Sequence, residues 1–380
     1  MTIIVFTHML EGHHLEYIHH VYQMAYGDKG NRYVFLLPIS FVNIKEKFEW
    51  KKAEHITFDL FEEDLKQEKR SKPIRESFYW SRFVAKVAKK YKADYVFANM
   101  VILFVPFAPI FMCKPTKIVG VIYRIYLHDI MDRSGMSVLQ DKLKFWIMAH
   151  TRVFHRMLVL NDSTSADRLN VLYKTNKYVP ISDPYVPIEI EKPEDVRSEY
   201  GISHDKTLFV HFGAMNGNKA TIEILRSLLA LPDEERRKYA FFFAGRVSDG
   251  IRDRFYALLA EVRDKVQVVV KDEFCSYEFF ASLCLSCNAI LTPYKRTAQS
   301  SGLIGYASQF GKPVIAVNRG LLGQLVREYE LGILIDDNAP DSLVAGYRRI
   351  ADGDFKQPTK RYCEQNCIEN FQEAIFEQLI

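Results

Sequence analysis

The chain has 380 residues, 48% of them apolar and 13% aromatic, with a formal net charge of +4. That is room for two domains with sizeable cores, and far too apolar for a disordered protein. So small a charge excludes nucleic acid as the main partner, because neutralising phosphates takes a concentrated basic surface; a local basic pocket remains open.

Met1-Thr-Ile-Ile-Val-Phe6 has no basic leader or cleavage site and reads as part of a first strand, Ile3–Thr7. The loop Met9-Leu-Glu-Gly-His-His14 then enters a helix running through Ala25. A glycine-containing loop between first strand and first helix is where open α/β sheets place ligands, which makes Gly12 and His13 candidates together with His14. Near neutral pH a histidine can donate to a sugar hydroxyl or a phosphate oxygen; a local helix-capping role is the alternative for either one. Strands are expected at Tyr33–Leu37, His55–Phe58, Asp94–Ala98 and Lys117–Ile125, with a long helix over 75–91. Arg124 ends the last of these strands, either as a ligand contact or as half of an ion pair, and His128 and Asp129 follow it.

The longest apolar run, Val101–Met112, reads as a buried helix. It is far short of the roughly 20 residues of a spanning helix, and Pro106 and Pro109 interrupt it. The expected location is therefore cytoplasmic. Basic stretches on both sides of the run, Lys89–Lys92 and Lys114–Lys117, leave a peripheral contact with the inner membrane face open. Helix 137–153, strand Arg156–Leu160, helix Thr164–Leu172 and strand Lys177–Val179 complete the first half. Pro184, Pro187 and Pro193 then mark a short, semi-stiff joint over 181–194.

The second half alternates strands and helices regularly, which means a parallel sheet covered on both faces. Its strands are expected at Leu208–Phe212, Tyr239–Ala244, Val266–Val270, Ala289–Thr292, Val314–Val317 and Ile333–Ile335. Three loops stand out. His211-Phe-Gly-Ala-Met-Asn-Gly-Asn-Lys219 has Gly213 at a strand end and Lys219 at a helix start, where a cation is unfavourable unless an anion compensates it. Gly245-Arg246 ends the next strand at the same sheet edge. The third, Thr297–Ala316, reads as loop, helix, turn and buried strand, with Ser300 or Ser301 capping the helix and Gly311 closing it. Free N–H groups and the helix dipole beside Ser300, Ser301 and Gly302 suit an anion such as a nucleotide diphosphate. Lys219, Arg246 and that helix start therefore converge on one anion site.

Cys284-x-x-Cys287 and Cys363-x3-Cys367 could in principle join as a zinc site, but the first pair reads better as a helix end running into a buried strand. No Asp-x-Asp metal motif stands out; Asp352-Gly-Asp354 reads as a loop. No metal and no cofactor is expected.

The order Gly213…Lys219, Gly245, then Pro293-Tyr294…Gly311-Lys-Pro-Val-Ile-Ala316 resembles the nucleotide-sugar site of retaining family-4 glycosyltransferases, and the resemblance spans the chain. It implies an α/β chain with two facing Rossmann-like domains (the GT-B type) and an interdomain crevice. The expected divisions are an acceptor-side domain over 1–185, a nucleotide-sugar domain over 186–355, and a terminal helix in 356–380 packing back on the first domain. The implied reaction moves a sugar from a nucleoside-diphosphate sugar to the hydroxyl of a glycan or lipid-linked glycan, with retention and without metal. Two departures mark a divergent subgroup. Ala214 stands where the family has an arginine, and its pair of glutamates would fall near Ala298 and Tyr306, with Gln299 the nearest polar residue. On this resemblance the catalytic candidates are His13, Arg124 and Gln299. The donor-binding candidates are Gly12, Gly213, Lys219, Gly245, Arg246, Ser300, Ser301 and Gly302. A nucleotide-sugar epimerase of the same architecture and a non-catalytic nucleotide-sugar-binding partner are the competing readings. The shortage of acidic residues in these motifs speaks against the first, while the lost glutamates permit the second.

Overall fold

The structure is a computed structural model that describes residues 1–11, 13–62, 73–128, 130 and 135–379. It divides into two compact units, Met1–Pro184 with Cys367–Ile380, and Tyr185–Asn366.

Among the described residues, the first unit holds a seven-stranded parallel sheet in the order β3-β2-β1-β4-β5-β6-β7. Its strands are β1 (Thr2–Phe6), β2 (Arg32–Pro38), β3 (Ile56–Phe61), β4 (Tyr95–Ala98), β5 (Lys117–Ile122), β6 (Phe154–Leu160) and β7 (Tyr178–Ile181). Side chains alternate across a strand, so an uninterrupted apolar run signals burial on both faces. In β1, Ile4 and Phe6 enter one core while Ile3 and Val5 enter another on the opposite face. The helix Ile368–Leu379 belongs to this unit and buries Phe371, Ile375 and Leu379 in the second core. Gln372 Nε2 donates to the His20 carbonyl at 2.8 Å, and Arg156 Nε to Gln378 Oε1 at 3.1 Å.

The second unit repeats the plan as a six-stranded sheet, in the order β10-β9-β8-β11-β12-β13. The strands are β8 (Thr207–Phe212), β9 (Tyr239–Ala244), β10 (Gln267–Lys271), β11 (Ala289–Thr292), β12 (Val314–Val317) and β13 (Gly332–Ile335). Here Leu208, Val210 and Phe212 pack on one face, and Phe209 on the other. Two parallel Rossmann-like sheets, one in each unit, make this an α/β protein. In each sheet the strand order reverses, between β1 and β4 and between β8 and β11. The carboxyl ends at such a switch point are where open α/β sheets bind ligands.

Several elements differ from the sequence expectations. Val101–Met112 is not one helix but a 3-10 turn, Val101–Phe104, and a four-residue helix, Ala108–Phe111. Pro106 forces the residue before it into extended backbone, and Val105 has φ −101° and ψ 127°. Val101, Leu103, Phe104, Val105 and Ala108 are core residues, while Pro106, Pro109 and Ile110 are exposed. No helix among the described residues is long and apolar enough to cross a membrane. β5 stops at Ile122, which leaves Arg124 exposed two residues beyond the strand. The last helix is two, Arg361–Gln365 and Ile368–Leu379.

Candidate active site

The switch point of the second unit is built from the loops after β8, β9 and β11. Gly213 continues the ladder, donating its N–H to the Ala244 carbonyl at 2.9 Å, with a φ of +87°. Gly245 has φ +125°, and a Cβ on it would lie 2.1 Å from the Gly213 carbonyl oxygen. Only glycine permits that approach. The two loops stay joined beyond it, as Met215 N donates to the Arg246 carbonyl and Ser248 N to the Met215 carbonyl, each at 2.9 Å.

Lys219 is not the first residue of a long helix, as expected, but the last of a 3-10 turn, Gly217–Lys219; the helix follows as Thr221–Leu229. Asn216 causes this, because its Oδ1 accepts from Asn218 N at 3.0 Å and Lys219 N at 3.1 Å and closes the turn. The turn sends the lysine back over the strand end. Its Nζ is 3.4 Å from the Phe212 carbonyl oxygen, and a Cβ on Gly213 would sit 2.8 Å from it. It also lies 5.6 Å from the centre of the Tyr294 ring.

Tyr294 connects this lysine to the third loop, because Ser301 Oγ donates to the Tyr294 hydroxyl at 3.4 Å. The helix Leu303–Phe310 begins at Gly302, which makes no side-chain cap; instead Ser301 Oγ accepts a long bond, 3.4 Å, from Leu303 N. Ser300 is half-buried and engaged, and Gln299 is exposed. Asn218 anchors the start of the loop, its carbonyl accepting from Lys295 N and its Oδ1 from Arg296 N at 2.9 and 3.0 Å. Thr297 anchors its middle, packed so tightly on Gly320 that a Cβ there would meet Thr297 Oγ1 at 2.3 Å. Glu223 pairs with Lys295 at 2.7 Å through one oxygen, while its buried Oε2 has no hydrogen-bond partner among the described residues.

Arg246 is exposed beside Gly245, and its guanidinium has no ion pair or hydrogen bond among the described residues. Asp249, in the turn that follows, faces Arg252 at 3.8 Å instead, and Arg252 also pairs with Asp272 at 2.8 Å. Below these loops lies His211, fully buried and held at a pKa of about 3, first by burial and then by the charge of Lys219. Its Nδ1 lies 3.1 Å from the Leu291 carbonyl oxygen and so carries the proton; its Nε2 accepts from Thr221 Oγ1 at 3.0 Å. The neutral ring ties β8 to β11 across the switch point.

In the first unit, Gly12 and Asp129 lie outside the described residues, as does the side chain of His13. The neighbouring His14 is placed at the switch point. Its Nδ1 accepts from Asn99 Nδ2 at 3.0 Å, while Asn99 Oδ1 accepts from the Tyr123 hydroxyl at 2.8 Å. The neutral imidazole therefore carries its proton on Nε2. Tyr123 stacks on Tyr17 at 5.8 Å, and burial, then the charge of Asp183, raises its pKa well above the ordinary phenol value. After β5, His128 Nε2 meets Asp162 Oδ2 at 2.6 Å and lies 3.2 Å from Ser165 Oγ. Burial alone would raise the Asp162 carboxyl, but hydrogen bonds from His128 and Ser165 outweigh it and the pKa is lowered. The carboxylate partner of His128 is thus Asp162, which sequence proximity did not suggest.

Lys219, Tyr294 and Ser301 come together, and Gly213, Gly245 and the Arg246 backbone form the floor beside them. Asn216, Asn218 and Thr297 are positioning residues that went unnoticed in the sequence; only the Asn216-x-x-Lys219 spacing signalled a capped turn. All six cysteines are free, and burial pushes Cys287 up to about 12 and raises Cys284 well above the usual thiol value. No group of three or more metal-ligating side chains occurs among the described residues. An open groove of 610 Å³, lined in part by Arg327, Glu330, Arg349 and Lys356, lies beside the start of β13, at the opposite sheet edge. Lys356 pairs there with Glu330 and Arg349 with Asp354, while Arg327 donates to Asn318 Oδ1.

Residues 193–369 match the family model described as "Glycosyl transferases group 1". No curated protein matches the chain. Among solved structures, it is similar to Anabaena HepE in complex with UDP-glucose, at 14% identity and a TM-score of 0.68 over 100% of this chain and 99% of that one. It is similar to WaaG, a glycosyltransferase involved in lipopolysaccharide biosynthesis, at 15% identity and a TM-score of 0.63 over 98% and 94%. Sucrose-phosphate synthase from Thermosynechococcus elongatus aligns at 13% identity and a TM-score of 0.64 over 100% and 94%. Residues 193–369 thus match a group 1 glycosyltransferase domain, and the fold of the chain is similar to that of GT-B glycosyltransferases.

Proposed function

We propose that the protein moves a sugar from a nucleoside-diphosphate sugar to an acceptor hydroxyl of a glycan or lipid-linked glycan, keeping the anomeric configuration. The observation that carries this is the Lys219 ammonium over Gly213, at a strand end where a Cβ would obstruct both the lysine and any approaching phosphate. Its one hydrogen bond is long, so donors remain for an anion. As the bond from the anomeric carbon to phosphate oxygen breaks, the acceptor oxygen bonds to that carbon and its proton passes to the departing diphosphate. Groups aimed at the growing negative charge supply most of the acceleration in such a reaction. Lys219, Arg246 and the positive dipole end of Leu303–Phe310 are assigned that role, the first N–H groups of that helix being bonded to Ser301 and Gly302, and on this reading no metal is required.

Positions 298 and 306 hold Ala298 and Tyr306, both buried. On this reading the chain belongs to a subgroup in which ribose and sugar contacts come from other side chains, Gln299 among them. Gly12, His13 and Arg124, with His14 beside them, are assigned to the acceptor side. A UDP-linked donor is the first to test, since HepE was solved with UDP-glucose. Thermal shift across a panel of nucleotide sugars makes the test. A donor at about 100 times its Kd should add about 2.7 kcal/mol of stability. If no donor raises the melting temperature, the reading fails.

A further inference from the structure

The helix Gly135–His150 is apolar on two opposite sides. Val138, Phe145, Met148 and Ala149 are buried in the core. A surface helix ordinarily turns charged or polar residues to water on the other side. This one turns out Met136, Leu139, Leu143 and Trp146, which are 68%, 60%, 57% and 50% exposed. Their spacing of three, four and three residues lines them up along a single row. His150 extends the row, its ring stacked on Trp146 at 4.8 Å.

The charges around the row are mostly of one sign. Lys142 is exposed on one flank and Lys144 lies on the other, while the helix's one carboxylate, Asp141, is half-buried and 3.5 Å from Lys144. The helix Ser163–Tyr173 contacts this one through buried Tyr173, whose hydroxyl donates to the Lys142 carbonyl at 3.2 Å. It adds exposed Val171 and Leu172, with exposed Lys174 just beyond and Asp167 one turn back. Exposed Arg152 follows the row.

We infer that this face docks the protein on an anionic lipid bilayer. An apolar row beside long basic side chains, with an indole among them, is what an interfacial helix needs: the apolar groups enter the acyl boundary and the ammoniums reach the phosphates. The charge argues against a second copy, since two such faces would oppose lysine to lysine. No feature of the donor site enters the inference.

The test is flotation of the full chain with phosphatidylglycerol–phosphatidylcholine vesicles against phosphatidylcholine alone, at low and high salt. Wild type should float with the anionic vesicles and lose binding as salt rises. Leu143→Glu and Trp146→Glu should each weaken binding more than about tenfold, with unchanged melting temperature and nucleotide binding. Lys142→Glu, at a fully surface position, provides a second variant should either of those misfold. Wild type left unbound, or variants that float as well as wild type, would overturn the inference. So would a dimer in sedimentation equilibrium that Leu143→Glu dissociates, because the face would then belong to a second copy. Failure of donor binding would leave this inference standing, and the reverse holds too.

Discussion

Replacing Lys219 by methionine removes the ammonium and keeps an apolar stem beside the Tyr294 ring. In the unliganded protein the loss is small, because the amine makes one hydrogen bond, a long one of 3.4 Å to a carbonyl oxygen. A side benefit is that His211 loses the cation that helps depress its pKa. With diphosphate bound the account is different. A charge-assisted hydrogen bond to an anion is worth about 1.5–3 kcal/mol, which corresponds to a weakening of Kd by about 10- to 150-fold. The loss should also be smaller at high salt, because the site is open to solvent on one side. Titration calorimetry with the nucleoside diphosphate that wild type binds reads this directly. A folded Lys219→Met protein with wild-type Kd would refute the placement of the anion over Gly213.

Gly213→Ala should fold with some loss of stability from its φ of +87°, because the group its Cβ meets at 2.8 Å is only the end of a flexible lysine, yet it should bind diphosphate poorly once that lysine is displaced. Gly245→Ala meets backbone at 2.1 Å and should instead lower the melting temperature sharply; equal stability of the two variants would contradict the geometry. Arg246→Lys should keep some donor binding and lose most turnover, since a lysine cannot grip two phosphate oxygens at once, while Arg246→Ala should lose both; wild-type kcat in Arg246→Lys would remove the residue from the site. His211 has a folded pKa of about 3, below its unfolded value, so the unfolded chain binds the extra proton and stability falls as pH drops below about 6.5. By pH 5 this should amount to about 2 kcal/mol, a loss that His211→Asn should not show in urea titrations at pH 7 and 5.

The strands were the most legible part of the sequence because a strand covered on both faces must be apolar throughout. Val314–Val317 and Tyr239–Ala244 have the bounds their residues suggest. Element ends were less legible, for local reasons. Asn216 closes a turn that delays the helix past Lys219, and Pro106 breaks a run that composition alone made helical. Contacts between distant residues left no periodic trace at all. His14 and Asn99 are 85 positions apart and His128 and Asp162 are 34 apart, so neither pair could be read from spacing. Strand ends direct Lys219 and Ser301 towards one sheet edge, but nothing in the spacing points to Tyr294, which touches both.

The central claim is that a nucleotide-sugar bond is broken at the loops around Lys219. The most direct measurement is release of nucleoside diphosphate from a panel of nucleotide sugars without acceptor, with Lys219→Met as the matched control. Slow release from one donor by wild type, lost in the variant, is the predicted result. Donor that binds tightly and is never cleaved, with or without acceptor, would make the protein a nucleotide-sugar-binding module and contradict the claim.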